Sequence, residues 1–378
     1  MLTFRLRYVL ALLLCCLSVS LSACGDDNEP GPAPADAIYV QPHMESQPAA
    51  GATDAAIWVN PDDPDSSLVV ASYDDGLLVY DFSGDIVFRN ADGRMNNVDL
   101  RAGVTITTGN ADPSTAREVI LVAATNRTQK TIGVYVLEPE TGELSPFLDE
   151  PIPSNFEEPY GLCLYRSAVN GNLYVFASET GGTVSQWFLY DTGRGSMRGT
   201  IQRTWKVGRR TGGCVADDAN GVVYLDEAGA GIWRYGAEPK DSFGERAQVA
   251  SAGAGFGAAG GLSADVEGLS LYIPDAAAPE AGYLIASNRG AFAYVVYDRA
   301  PPHAYRGTFR ITDNTARGVD GAQGTGGLDV VAVPVGPDYP EGLLVAQDGL
   351  NKNPDGSGAT PNFKLISWAD VAEALGLE

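Results

Sequence analysis

A chain of 378 residues with 48 acidic against 25 basic side chains carries a formal net charge of −23 at pH 7, and so acidic a surface repels phosphate backbones and argues against nucleic-acid binding. Its 44% apolar residues and 45 glycines describe compact, turn-rich β structure and exclude a disordered chain. The histidines, His43 and His303, stand in no zinc-binding spacing, and neither a Gly-x-Ser-x-Gly elbow nor a Walker A loop occurs, which argues against zinc enzymes, triad hydrolases and P-loop proteins.

Met1 to Ala23 reads as a targeting segment, with Arg5 and Arg7 ahead of an apolar run from Tyr8 to Val19 that is too short to span a bilayer. It ends in Leu21-Ser22-Ala23-Cys24, which resembles the bacterial lipobox: small residues lead directly to a cysteine that becomes lipid-modified, and a polar stretch follows from Gly25. The resemblance implies lipidation at Cys24 and a membrane-anchored lipoprotein, periplasmic or on the cell surface, with the outer membrane among the expected locations. Gly25 to Ala37, rich in Pro and Asp, reads as a flexible tether. The expected layout is therefore a signal over 1–23, a tether over 24–37 and one domain over 38–378. Losing Arg5 and Arg7 takes the net charge from −23 to −25.

The stretch Val69 to Phe82 joins two apolar β-prone runs through Asp74-Asp75-Gly76, the pattern of a β-hairpin. The same phrase returns at Ile120 to Leu137, Leu173 to Tyr190, Val222 to Tyr235, Gly282 to Asp298 and Gly342 to Trp368. Anchored on Ala71, Ala124, Ala177, Leu225, Ala286 and Ala346, the spacings are 53, 53, 48, 61 and 60 residues. A unit of that length holds about four strands, the size of a propeller blade. Six copies predict an all-β fold, a six-bladed β-propeller with four-stranded blades, over a β-sandwich, in which one phrase seldom repeats so regularly. Gln248 to Gly261 reads as an Ala/Gly loop between blades, and Ser367-Trp368-Ala369-Asp370 opens a short C-terminal helix with capping-box-like spacing.

Cys15 and Cys16 leave with the signal, so Cys163 and Cys214 remain on equivalent strands of successive repeats in an oxidising compartment. A disulfide between them and two separately buried thiols are both open.

A carboxylate-rich, histidine-poor chain can hold hard cations with oxygen ligands, although acidity also serves solubility alone. The phrases Thr53 to Pro61, Gly93 to Arg101, Thr125-Asn126-Arg127, Glu158-Pro159-Tyr160-Gly161, Ala216-Asp217-Asp218, Ala264 to Leu269 and Val345 to Gly349 together resemble the β-propeller phytases, in order and spacing from about Ile38 to Gly376. That resemblance implies a six-bladed propeller that uses calcium for stability and, in an acidic cleft at one end of its channel, to bind phytate phosphates and activate water. It implies catalytic roles for Glu227, Asp265 and Glu267, phosphate contacts from Arg127 and Tyr160, and metal contacts from Asp54, Glu227, Asp265, Glu267 and Asp329. Asp54, with the Ala55 and Val98 carbonyls, matches the grip on a structural calcium. Asp99 reads as structural, its carboxylate satisfying local backbone groups.

The sequence departs from the family pattern in the same cleft. Paired acids before the Trp become Thr53-Asp54, an expected Glu is Gly212, and an Asp-x-Asp reads Gly324-Thr325-Gly326. Arg289 and Leu350 stand where a Gln and a Glu would add calcium oxygens, and Tyr73-Asp74-Asp75 and Thr180-Gly181 stand where lysines would meet phosphate. Calcium takes six to eight oxygens, so losing several carboxylates weakens a shared cluster, and a guanidinium can replace an ion's charge but cannot activate water. Two functions follow. One is a calcium-dependent phosphomonoesterase acting on phytate or a related phosphoester, weakened or lost. The alternative is a non-catalytic, membrane-tethered propeller that binds a ligand or protein.

Overall fold

Neighbouring repeats hold one another together. The computed structural model describes residues 33–253, 260–352 and 358–377. The expected signal, Cys24 and the tether up to residue 32 lie outside the described residues.

Six antiparallel sheets form the blades of a β-propeller. Each phrase read from the sequence is the middle hairpin of one blade, from Leu68–Tyr73 with Gly76–Asp81 in the first to Leu343–Asp348 with Asn362–Ser367 in the sixth. The innermost strands, in blade order, are Ala55–Trp58, Met95–Thr108, Pro159–Arg166, Cys214–Asp217, Leu269–Tyr272 and Leu328–Val331. Because each sheet is covered on both faces, its central strands are apolar throughout rather than alternating: Val69, Ala71 and Tyr73 pack toward blade six while Leu68 and Val70 pack toward blade two. Six apolar clusters result, one in each seam between neighbouring blades.

The N-terminal segment closes the ring. Ala37–Val40 adds a parallel fifth strand to blade five beside Tyr305–Ile311, so its first residue belongs to the domain rather than to the tether. Met44–Glu45 supplies the fourth strand of blade six, pairing with Asn362–Ser367. The fully buried Lys364 fastens this junction through Glu45 and Asp320, with Asp348 at 3.4 Å. Gln248 to Ser251, read as loop, instead lie in the outer strand Ala247–Ser251 of blade four; residues 254–259 of that stretch lie outside the described residues.

The helix α1 spans Trp368–Leu375 and ends at Gly376, which takes the left-handed conformation (φ 64°) that L side chains resist. No side-chain hydrogen bond caps its start at Ser367, so the capping-box spacing is not used. Trp368 stacks on Tyr272, ring centroids 4.2 Å apart. Cys163 and Cys214 are joined in a disulfide with Cα atoms 5.4 Å apart, stapling the inner strands of blades three and four and deciding between the two readings left open by the sequence.

Candidate functional site

The residues just ahead of the inner strands converge at one mouth of the central channel. Crowding there requires residues without side chains: a Cβ on Gly161 would meet the Gly212 carbonyl oxygen at 2.5 Å, and one on Gly268 would meet that of Gly326 at 2.5 Å. A cavity of about 280 Å³ opens at this mouth, lined by Thr53, Asp54, Asn96, Asn97, Tyr160, Glu267, Arg289 and Gln347 among others. Asp54 and Asn97 also line a channel cavity of about 340 Å³ below it, which holds Asp99, Arg101, Asp218 and Asp329.

The polar centre of the mouth is drawn from four blades. Tyr160, starting the inner strand of blade three, donates its hydroxyl to Glu267, just ahead of the inner strand of blade five. Arg210, in the approach to the inner strand of blade four, donates from Nη1 to the Tyr160 hydroxyl at 3.1 Å and to Glu267 Oε2 at 2.9 Å, and from Nη2 to Asp265. Arg289, in the central turn of blade five, adds ion pairs to Glu267 at 3.4 Å and Asp265 at 3.7 Å. Arg127, in the central turn of blade two, lies over the Tyr160 ring at 5.7 Å and makes one long hydrogen bond, 3.4 Å, to Asn96 Oδ1.

The electrostatics follow from this packing. Burial, reinforced by Glu267, pushes the Tyr160 hydroxyl well above its ordinary pKa. Burial works against charge on Arg210, but Glu267, Tyr160 and Asp265 more than compensate and hold it firmly protonated; Arg289 is held the same way by Glu267 and Asp265. Asp226 is buried and lies against the same group, accepting from the Gly212 and Gly213 amides at 2.6 and 3.0 Å. Burial and the nearby Glu267 raise its pKa far above the usual carboxylate range.

Of the residues singled out from the sequence, Arg127, Tyr160, Asp265 and Glu267 come together. Glu227 does not join them. Successive side chains of the strand Val222–Glu227 point to opposite faces, so Asp226 takes the side toward Gly212, and Glu227 accepts instead from Trp233 Nε1 at 2.8 Å with Arg246 3.7 Å away. Asp54 is at the floor of the mouth and accepts from the Val98 amide at 3.1 Å, while its carbonyl accepts from the Ser72 amide. Asp329 lies deeper, its oxygens taken by the Ile57 amide, the Ser270 hydroxyl and the Val330 amide at 2.8–2.9 Å. Burial raises the pKa of both, Asp329 to about 6. Asp99 accepts from the Leu100 and Leu164 amides and from Arg101, the structural role expected of it.

Sequence reasoning missed Arg210 and Asp226. The signal was available in Arg209-Arg210, a basic pair two residues ahead of the position where Gly212 replaces an expected Glu.

The donor set does not fit the catalytic calcium cluster that the family resemblance implies. Asp265 and Glu267 are both held by guanidinium groups, Gly212 and Gly324 bring no side-chain oxygen, and Glu227 is turned to Trp233. Among the described residues, no group of three or more His, Cys, Asp or Glu side chains is arranged to hold a metal ion. Asp74, which would repel phosphate at the rim, is neutralised by Arg94 at 3.0 Å.

Comparison with known proteins adds three findings. The family model described as Phytase matches residues 8–378. A 3-phytase of Bacillus subtilis (strain 168) is 36% identical over 347 residues, covering 89% of this chain and 85% of the relative. Among solved structures, a luciferin-regenerating enzyme superposes with a TM-score of 0.48 at 12% identity over 87% of this chain and 94% of that one, a likeness too distant to carry functional weight.

Proposed function

The chain belongs to the phytase family, and from that premise we propose that its channel mouth receives the phosphate group of phytate or a related phosphomonoester and hydrolyses it slowly, the calcium-dependent step being weakened. Phosphoester hydrolysis is the reaction class of the family; the substrate, the residues and the degree of weakening are our reading.

In this reading Arg127 and Tyr160 meet the phosphate. Arg127 is partly exposed and has no carboxylate partner among the described residues, so its charge is available to an incoming anion. The Tyr160 hydroxyl stays protonated at neutral pH, and its proton, held by Glu267, reaches a phosphate only if the hydroxyl turns from that carboxylate. The observation that carries the weakening is the double guanidinium contact on Asp265 and Glu267: carboxylates already neutralised are poor ion ligands and poor bases toward water.

Phosphate release from phytate, followed across calcium concentrations and in excess chelator, tests the reading. Slow but saturable release is expected. Turnover rising to about 10 per second or more on adding calcium, the middle of the ordinary enzyme range, would overturn the weakening. The placement of Glu227 against Trp233 and Arg246 favours a second reading, a binding module with no turnover, and a folded sample that releases no phosphate under any condition would select it.

We also propose that Cys24 is lipid-modified and holds the domain at a membrane, periplasmic or at the cell surface. What supports this is the Leu21-Ser22-Ala23-Cys24 motif; no helix among the described residues is long and apolar enough to cross a bilayer. Membrane fractionation of the full chain and of Cys24→Ala tests this: the variant should move to the soluble fraction, and unchanged partitioning would sink the proposal.

A further inference from the structure

We propose that the mouth binds a phosphate dianion directly through Arg127, Arg210 and Arg289, with no requirement for calcium. The inference rests on the reading that this mouth takes a phosphoester, and it assigns to side chains the positive charge that a metal ion would otherwise supply.

The charge balance is the first argument. Arg210 and Arg289 both pair with Asp265 and Glu267, and Arg127 stands beside Arg210 over the Tyr160 ring, so three positive side chains gather at one mouth of a chain of charge −23. Guanidinium groups clustered in a concave site attract anions.

Geometry is the second. Arg210 and Arg289 converge on the same pair of carboxylates, the place where a bridging cation would lie. A calcium ion entering there must displace both guanidinium groups or sit beside them, whereas an anion meets them with their remaining N–H donors. Each guanidinium carries five donors in a planar fork suited to phosphate oxygens, and Arg210 and Arg289 keep 29% and 35% of their side chains exposed. Arg127 stacks with Arg210 on the Tyr160 ring, their centres 5.7 and 5.6 Å from its centroid, so the tyrosine aligns two of the three. Arg127 lacks a carboxylate partner among the described residues, which makes it the group whose charge a ligand gains in full.

Isothermal titration with phytate, and separately with inorganic phosphate, in excess chelator and in excess calcium tests the inference. Binding should persist in excess chelator, and because calcium complexes phytate and phosphate in solution, the dissociation constants are compared on free ligand concentrations, where they should agree within about twofold between the two conditions. Arg127→Gln should weaken phytate binding by about tenfold or more, the usual effect of losing a charge-assisted hydrogen bond, with Arg127→Lys losing less. Thermal melts check folding, and Arg289→Gln provides a second partly exposed position should Arg127→Gln fail to fold. Binding that appears only with calcium, or an undiminished affinity in folded Arg127→Gln, overturns the inference. Parallel phosphate-release assays separate the two claims: chelator-insensitive binding without release sinks the proposed hydrolysis and leaves the arginine site standing. Calcium-dependent release with binding lost in chelator does the reverse.

Discussion

Removing both arginines from Asp265 and Glu267 should restore calcium affinity to the mouth, and the size of the gain follows from the geometry. A calcium ion sits about 2.4 Å from a carboxylate oxygen, and Arg210 Nη1 is 2.9 Å from Glu267 Oε2. Ion and guanidinium on one carboxylate would then lie about 5 Å apart, and a double charge against a single one at that distance repels by roughly 1.7 kcal/mol even at the dielectric constant of water. Physiological salt lowers this to about 1 kcal/mol. With Arg289 at 3.4 Å from the same oxygen contributing comparably, the pair opposes the ion by about 2 to 3 kcal/mol, roughly 30- to 160-fold in affinity. The assay is calorimetric calcium titration of the parent chain and of Arg210→Gln/Arg289→Gln, with melting curves to verify folding. Equal calcium affinity in the two proteins, both folded, would refute the claim that guanidinium charge is what excludes the ion.

Three further expectations concern the scaffold. Arg299 and Asp217, both with 0% side-chain exposure, form a bidentate pair at 2.6 and 2.7 Å, so Arg299→Ala strands a buried carboxylate and should cost about 3–5 kcal/mol in urea unfolding; a loss under 1 kcal/mol would contradict it. Replacing both Cys163 and Cys214 by Ser opens a link across a sequence separation of 51 residues and should cost about 2–4 kcal/mol, read as a lower midpoint in denaturant with a somewhat steeper slope, because the unlinked unfolded chain exposes more surface. The buried Asp54, Asp226, Asp329 and Asp348 all have raised pKa values in the folded state, Asp329 and Asp348 to about 6 against 3.8. The folded chain therefore holds protons that the unfolded chain releases, and stability should rise as pH falls from about 7 toward 5. A melting temperature that is flat or higher at pH 7.5 than at pH 5 would show that these carboxyls do not control it.

The architecture was written in local pattern. An apolar run, a turn with glycine and a second run repeat six times, and since every blade is sandwiched between two others, each copy carries its own instruction to form a hairpin buried on both faces. Arg127, Tyr160, Asp265 and Glu267 were legible only through the resemblance of their motifs to the phytase family, and the propeller brings those motifs, from separate blades, to one mouth. What sequence could not decide were relations fixed by a single residue of register or by distant closure. Asp226 and Glu227 are chemically alike and adjacent, and only the pleat of their strand sends one to Gly212 and the other to Trp233. Arg210 has no partner within reach along the chain; its carboxylates come from blade five, 55 and 57 residues away. The pairing of Cys163 with Cys214 and the use of Met44–Glu45 to complete blade six likewise depend on the ring closing. Hydrophobic periodicity is a property of neighbours in sequence, whereas the partner of a charge is whichever group the finished fold leaves within about 4 Å of it.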